Sequence, residues 1–390
     1  TFCNCTGLTS VTIPRGVENI GYCAFFNCPR LTRILFEGNA PHVDTPVFNG
    51  ADKAIVYHLP GTTGWGKEFG GRPTAVWDPL TMEADDALPA GASAISPVAK
   101  VQGPFAYTVT NGAVTIAKYT GPGGMVALPS TIDGLPVTGI GESAFSGCTN
   151  LTSVTIPNSV KGIGMFAFSQ CVNLSTVTIP SSVTWIGFSF ADCSRLTSIT
   201  VDAANPAYSS SADGVVFNKA KTKLIRCPGG KAGRYVIPST VTEIGNWAFS
   251  GCSSLTHVTI PDSVTNIGEW TFNGCTGLTD VTIPERVTNI RGWAFAGCAG
   301  LTRVTLPDSV TVIDRWAFKD CKGLTSLTIP ARVTFIGVGS FNGCSRLLSI
   351  RVEEANSAYS SSADGVLFDK ARTCLVSYPA GKAGSYVIPG

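Results

Sequence analysis

Charge is scarce in this chain. Asp, Glu, Lys and Arg make up only 14% of its residues, where an average soluble domain has roughly 25%. The formal net charge is +2 and no long basic run occurs, which argues against a nucleic acid as partner. No stretch of about 18 apolar residues is present, so no helix is expected to insert into a membrane within this chain. Histidine is rare as well. His42, His58 and His257 are the only three, and none has a nucleophile and an acid at catalytic spacing. G-x-S-x-G, H-E-x-x-H and phosphate-loop patterns are missing. Gly121-Pro-Gly-Gly124 reads as a turn, because no strand–helix context surrounds it. No C-x-x-C pair occurs, which removes the usual zinc and redox motifs. The expectation is therefore a protein that is not an enzyme and carries no cofactor and no metal. The chain starts at Thr1 without Met or signal peptide and stops at Gly390 inside a repeat. It reads as a piece of a longer protein whose targeting segments lie elsewhere.

What the chain does have is a period. Cys148 and Cys171 are 23 residues apart, Cys193 follows after 22, and Cys252, Cys275, Cys298, Cys321 and Cys344 are each 23 apart; Cys5 and Cys28 repeat the spacing near the start. Around them runs one pattern, L-T-x-V-T-I-P-x-x-V-T-x-I-G-x-x-A-F-x-x-C, seen clearly from Leu151 to Cys171 and from Leu255 to Cys275. Leu151, Val154 and Ile156 match the L-x-x-L-x-L strand of a leucine-rich repeat. Such strands stack in parallel about 4.8 Å apart, and each coil buries its apolar edge only against its neighbours. Pro157 ends the strand, since it cannot donate to a ladder. Val160 and Ile163 should then turn inward, Ala167-Phe168 should form a short helical or tight turn with Phe168 in the core, and Cys171 should close the coil.

This pattern resembles the BspA-like leucine-rich repeat family of bacterial and some protozoan surfaces, over residues 1–36 and about 126–390. The resemblance implies a repeat solenoid with a parallel β-sheet on one side and short helical or tight turns and irregular segments on the other. It also implies a secreted or cell-surface adhesion and interaction module, whose partner is a protein or glycan on a host, matrix or neighbouring cell. No catalytic residues come with it. The alternatives are a structural spacer displaying other domains, or the non-catalytic repeat region of a larger enzyme.

Departures from the period organise the chain. Residues 201–238 and 352–389 align with each other without gaps; both carry A-N-[PS]-A-Y-S-S-S-A-D-G-V and end in G-K-A-G-x-Y-V-I-P. Gly214 to Phe217, Asn218 to Thr222 and Lys223 to Cys227 read as a β-hairpin, either protruding or widening one coil, every 151 residues. Residues 37–80 break the period and end in turn-forming and aromatic segments, Gly61 to Gly66 and Gly70 to Trp77, that read as a cap. Residues 81–102 are rich in Ala, Pro, Gly and Ser. Three regions follow: 1–80, the C-terminal part of a first array with its cap; 81–103, a linker; and 104–390, a second array opened by a β cap from Phe105.

Two surface groups stand out as ligand candidates. Trp247, Trp270, Trp293 and Trp316 recur every 23 residues and should form one line along the rod, with Ser143, Phe166 and Ser189 at that place in earlier coils. They read either as packing or as a half-exposed strip for a glycan or protein. Thr152, Thr155, Thr178, Thr200, Thr259, Thr282, Thr305 and Thr328 should face solvent on the strands. Beside them the outward position reads Ser153, Thr176, Ser198, His257, Asp280, Arg303 and Ser326, which makes His257, Asp280 and Arg303 the most distinctive local surface. Of the fourteen cysteines, ten form the ladder and read as small buried apolar residues. Cys3, Cys23, Cys227 and Cys374 lie off it, with a Cys3–Cys23 pair left open.

Overall fold

The structure, a computed structural model, describes residues 8–13, 17–20, 24–25, 28–43, 47–59, 61–76 and 100–383. The chain divides into two compact units, Thr1–Ser96 and Pro97–Gly390. The suggested Cys3–Cys23 pair and residues 81–99 of the expected linker lie outside the described residues.

In the first unit, Ser10–Ile13, Arg33–Phe36, Ile55–His58 and Arg72–Val76 pair in parallel, in chain order. The coil runs further than its pattern suggests. Phe48, Ala51 and Ala54 are buried 23 residues after Phe25, Cys28 and Leu31. Residues 37–59 thus form another coil, disguised because alanine fills both the cysteine and the leucine slots. The cap begins after it. Trp65 and Phe69 lay their rings 5.0 and 5.4 Å from Phe36, and Glu68–Phe69 folds back antiparallel onto Arg72–Val76.

The second unit opens with an antiparallel meander, Lys100–Gln102, Phe105–Thr110 and Ala113–Tyr119. Asn111 and Gly112 turn it at φ 51° and 74°, the geometry of a two-residue hairpin. Beyond it the pattern folds as a coil with three regular parts. The first is the expected strand, and Leu151–Thr155, Thr176–Ile179 and Ser198–Val201 are three consecutive rungs of it, all parallel. The second is an additional ladder of two-residue strands after the proline turn, for example Gly162–Ile163 against Trp185–Ile186 and Asn289–Ile290 against Val312–Ile313. The pattern gave no sign of it, because two residues are too few to show alternation. The third is the A-F turn. It is a tight turn, and no helix occurs among the described residues. Its backbone also pairs between coils, as Phe272 N donates to Ala294 O at 2.7 Å and Phe318 N to Ser340 O at 2.9 Å.

The interior is a set of columns. Leu151, Val160, Ile163, Phe168 and Cys171 are all fully buried, and of their counterparts one coil on Leu174, Val183, Phe190 and Cys193 are buried while Ile186 is half-buried. Burying one such large side chain stabilises by about 1.5–3 kcal/mol. The phenylalanines stack face to face, Phe145–Phe168–Phe190 at 5.0 and 5.4 Å and Phe249–Phe272–Phe295–Phe318 at 5.0, 5.2 and 5.4 Å. Tyr119 of the meander closes the first column at 4.9 Å. Among the described residues, the ladder cysteines from Cys148 to Cys344 form no disulfide. Each of Cys171, Cys275, Cys298, Cys321 and Cys344 donates its thiol to the phenylalanine carbonyl one coil earlier, at 3.1 Å. That carbonyl explains why the slot favours a small side chain with a donor, although Ala51 fills it in the coil at 37–59.

Both insertions widen a coil. Tyr208–Ser210, Val216–Asn218 and Lys223–Arg226 form an antiparallel triplet whose last strand joins the short ladder in parallel with Glu243–Ile244. Val215, Val216, Phe217 and Leu224 are buried. Tyr359–Ser361, Leu367–Asp369 and Leu375–Ser377 repeat the triplet. Asn205 and Asn356 lock the two insertions in the same way. Asn205 Nδ2 donates to Pro180 O and Val183 O at 2.7 and 2.8 Å, and its Oδ1 accepts from the Ala207 and Tyr208 amides.

Arg226 is the one buried arginine among the described residues. The inserted coil has no A-F turn of its own; Cys227 N still donates to Ala248 O at 2.7 Å, so the turn ladder breaks on the Phe190 side. Arg226 bridges the break: Nη2 donates to Phe190 O and Ser250 O at 2.6 and 2.9 Å, and Nη1 donates to Trp247 O.

Candidate functional site

The strand face places His257, Asp280 and Arg303 opposite one another on three successive rungs. His257 Nδ1 lies 2.9 Å from Asp280 Oδ1. A carboxylate only accepts, so Nδ1 carries the hydrogen. Asp280 Oδ2 lies 2.9 Å from Thr279 Oγ1, whose single hydrogen it shares with Thr256 O. Arg303 is exposed on the next rung. The pairing adds a member that sequence reasoning missed. Arg234 stands opposite His257 and is exposed. It sits within the insertion, but the signal was present: Tyr235-Val-Ile-Pro238 aligns with V-T-I-P, which puts Arg234 at the outward position. The row therefore reads Arg, His, Asp, Arg, bounded by Ser198 and Ser326. With His257 and Asp280 occupied by each other, two cations remain, three rungs or about 14 Å apart.

The threonines flanking this row face solvent as expected; Thr259, Thr282, Thr305 and Thr328 are exposed. A neighbouring hydroxyl row binds coil to coil, with Thr279 Oγ1 donating to Thr256 O and Thr302 Oγ1 to Thr279 O at 3.1 and 3.0 Å. The face is a hydroxyl-rich sheet. Among the described residues no group of three or more His, Cys, Asp or Glu is placed to hold a metal ion.

The four tryptophans lie at the turn, separate from the strand row. Their rings form one stack, Trp247–Trp270–Trp293–Trp316, with centroids 4.6, 4.4 and 5.5 Å apart. Trp247 is buried and the other three are half-buried. The column is longer than its sequence spacing suggested. In the 22-residue coil the matching residue is Phe188 and not Ser189, since Ser189 occupies the alanine slot and is buried, donating to Gly164 O. Phe166 and Phe188 lie 5.3 and 5.9 Å from Trp247. At the far end Gly339 presses its backbone on the Trp316 ring, and Lys319 Nζ sits 5.1 and 5.4 Å from the Trp293 and Trp316 centroids. Ring faces are covered throughout, and only indole edges reach solvent. All four tryptophans have φ between 58° and 60°, a region that costs a bulky residue about 1 kcal/mol or more. Stacking of about 0.5–1.5 kcal/mol per pair offsets that cost.

The BspA type leucine rich repeat region model matches residues 1–63, 128–228 and 231–363. The chain belongs to this family. Among solved structures, a leucine rich cell surface protein from Faecalibacterium prausnitzii is 27% identical over 91% of this chain and 82% of its own, with a TM-score of 0.52. A leucine-rich repeat protein from Eubacterium ventriosum is 23% identical over 68% of this chain and 98% of its own, with a TM-score of 0.36. A leucine rich repeat protein from T. pallidum is 31% identical over 63% and 88%, with a TM-score of 0.28. No curated protein matches. The family and fold make the chain a repeat module of the protein-interaction kind, in a family that is typically non-catalytic.

Proposed function

We propose that this BspA-type module is an adhesion or recognition element of a secreted or cell-surface protein. Its ligand is carried by a host cell, the matrix or a neighbouring cell. The Arg234–His257–Asp280–Arg303 row is the observation that carries the reading. It concentrates charge on a sheet face lined mostly by hydroxyls, with Val236 and Arg351 at two places of the threonine row, and exposed sheets of solenoids suit extended partners. The cell-surface protein of F. prausnitzii supports the location. A protein ligand fits better than a glycan at the tryptophan column, because a sugar ring stacks on an aromatic face and these faces are covered. Trp247, Trp270, Trp293 and Trp316 then contribute edges only, at the margin of the contact.

The test is saturable binding of the labelled 390-residue protein to cultured cells and to immobilised matrix proteins. Arg303→Glu and His257→Ala should each weaken binding at least tenfold with an unchanged melting temperature. Binding indifferent to both substitutions rejects the strand row as the site. Absence of any saturable binding favours a spacer that displays other domains.

A further inference from the structure

Among the described residues, two aromatic rings outside the tryptophan column are exposed, Trp185 at 50% and Phe335 at 51%. They occupy the same place in the fold. Each opens the two-residue strand of the coil just before an insertion, Trp185–Ile186 and Phe335–Ile336. In each case the following isoleucine amide donates to the hydroxyl of the insertion's tyrosine, Ile186 N to Tyr208 at 3.2 Å and Ile336 N to Tyr359 at 2.9 Å. That tyrosine is paired across the hairpin with the first residue of its turn, Tyr208 with Asn218 and Tyr359 with Asp369. The turn then carries one exposed cation in the left-handed region, Lys221 at φ 56° and Arg372 at φ 58°, and Arg372 Nη2 also donates to Ser361 O at 3.3 Å. Neighbouring lysines are already engaged. Lys219 and Lys370 are tied to carbonyls of their own insertions, and Lys223 pairs with Glu243 at 2.6 Å.

Trp185 also differs from the column in how it lies. Its ring edge rests over Gly162, 3.6 Å from where a Cβ would sit. Equivalent rungs along this ladder carry Glu243, Asn266, Asn289 and Val312. Among the described residues, an exposed aromatic therefore appears on this ladder only in the coil whose isoleucine amide bonds the tyrosine of a cation-tipped hairpin, and it does so twice.

We propose that each insertion builds one docking site, an exposed ring beside a hairpin cation (Trp185 with Lys221, Phe335 with Arg372), whose occupant is an acidic peptide segment bearing an apolar anchor. Aromatic and arginine side chains are the residue types that dominate protein contacts, and a lone cation beside the ring selects for an acidic neighbour. Glycan strands are disfavoured because the two rings stand about six rungs apart, roughly 30 Å, with no platform between them. The two sites make the module bivalent: a partner presenting the segment twice gains avidity, typically 10²–10⁴-fold. This surface is distinct from the strand row and does not depend on it.

Panning of a phage library of random dodecapeptides against the whole protein tests this, with counter-selection on the Trp185→Ala, Lys221→Glu, Phe335→Ala, Arg372→Glu variant. Enriched peptides should combine Asp or Glu with an aromatic or aliphatic residue. The best one is then compared as a single copy and as a tandem on a Gly/Ser linker of about 30 residues, which spans roughly 30 Å. The tandem should bind at least 100-fold more tightly. Lys221→Glu or Arg372→Glu alone should return it to the single-copy affinity, while His257→Ala leaves it unchanged. No enrichment, enrichment of neutral or basic peptides, equal affinity of single and tandem forms, or loss of a glycan ligand instead on Trp185→Ala each overturns the proposal.

Discussion

Arg226→Met should divide the second unit into two halves that unfold separately. The arginine is 5% exposed and donates to three carbonyls, of Phe190, Trp247 and Ser250, that belong to two different turns. Those turns sit on either side of the inserted coil, where the A-F backbone pairing continues only on the later side, from Cys227 N to Ala248 O at 2.7 Å. Methionine fills similar volume and removes the buried charge, so part of the loss is recovered as relieved desolvation. Each hydrogen bond to a charged donor contributes about 1.5–3 kcal/mol, and orphaned carbonyls add to the cost. The net destabilisation is then about 3 kcal/mol, located at one interface. In a stack whose coils touch only their neighbours, a weak interface reduces cooperativity as well as stability. Urea unfolding followed by circular dichroism should change from one transition into two, each with a smaller dependence on urea because each exposes less surface. Arg226→Lys keeps the charge and loses the fork, and should give an intermediate result. A single transition with an unmoved midpoint in Arg226→Met would refute the view that this side chain splices the turn ladder.

Other expectations follow from the same geometry. Gly339→Ala places a Cβ 2.5 Å from the Trp316 ring at φ 70°, so thermal melting should show a loss of more than about 2 kcal/mol; a neutral effect would mean the column end is loose. Asn205→Ala removes four hydrogen bonds from a fully buried site and should cost about 2–4 kcal/mol, read from denaturant midpoints. Burial pushes the Cys193 thiol up to about 11 and Cys298 up to about 12 from 9.0. Their folded values exceed the unfolded one, so their stabilising contribution is complete below pH 9 and is lost as pH rises through 11 and 12. Stability should fall above pH 9 with a slope that Cys298→Ala reduces by up to about 1.4 kcal/mol per pH unit; an identical slope in that variant contradicts the assignment. Brief alkylation at neutral pH should label exposed Cys374 and spare Cys298, as peptide mass spectrometry would show.

The coil was legible because its apolar positions repeat at one spacing. Leu151, Val154, Ile156, Val160, Ile163, Phe168 and Cys171 each occupy the interior place their periodicity assigns. What escaped was whatever a fixed spacing hides. The 22-residue coil displaced Phe188 by one, and two alanines hid the coil at 37–59. Arg234 was obscured by the insertion before it. The two-residue ladder is set by backbone pairing between coils and leaves no alternation to read. Arg226 was illegible for a different reason: its partners, Phe190 O and Ser250 O, lie 36 and 24 residues away, and carbonyls have no letter in a sequence. At the candidate site the His257, Asp280 and Arg303 juxtaposition was visible from register alone. The covering of the tryptophan faces was not, since it depends on the backbone conformation at Trp247, Trp270, Trp293 and Trp316.

Where a thiol hands its hydrogen to the phenylalanine carbonyl of the preceding coil, as at Cys275, Cys298, Cys321 and Cys344, successive units end in the same socket and begin with the same plug. A gene built of such units can lose or gain one by unequal exchange without rewriting its neighbours. Outward letters such as Arg234, His257 and Asp280 are spared that constraint. Length and surface in this rod are therefore free to drift independently, and a lineage can lengthen its reach while keeping, or replacing, what it grips.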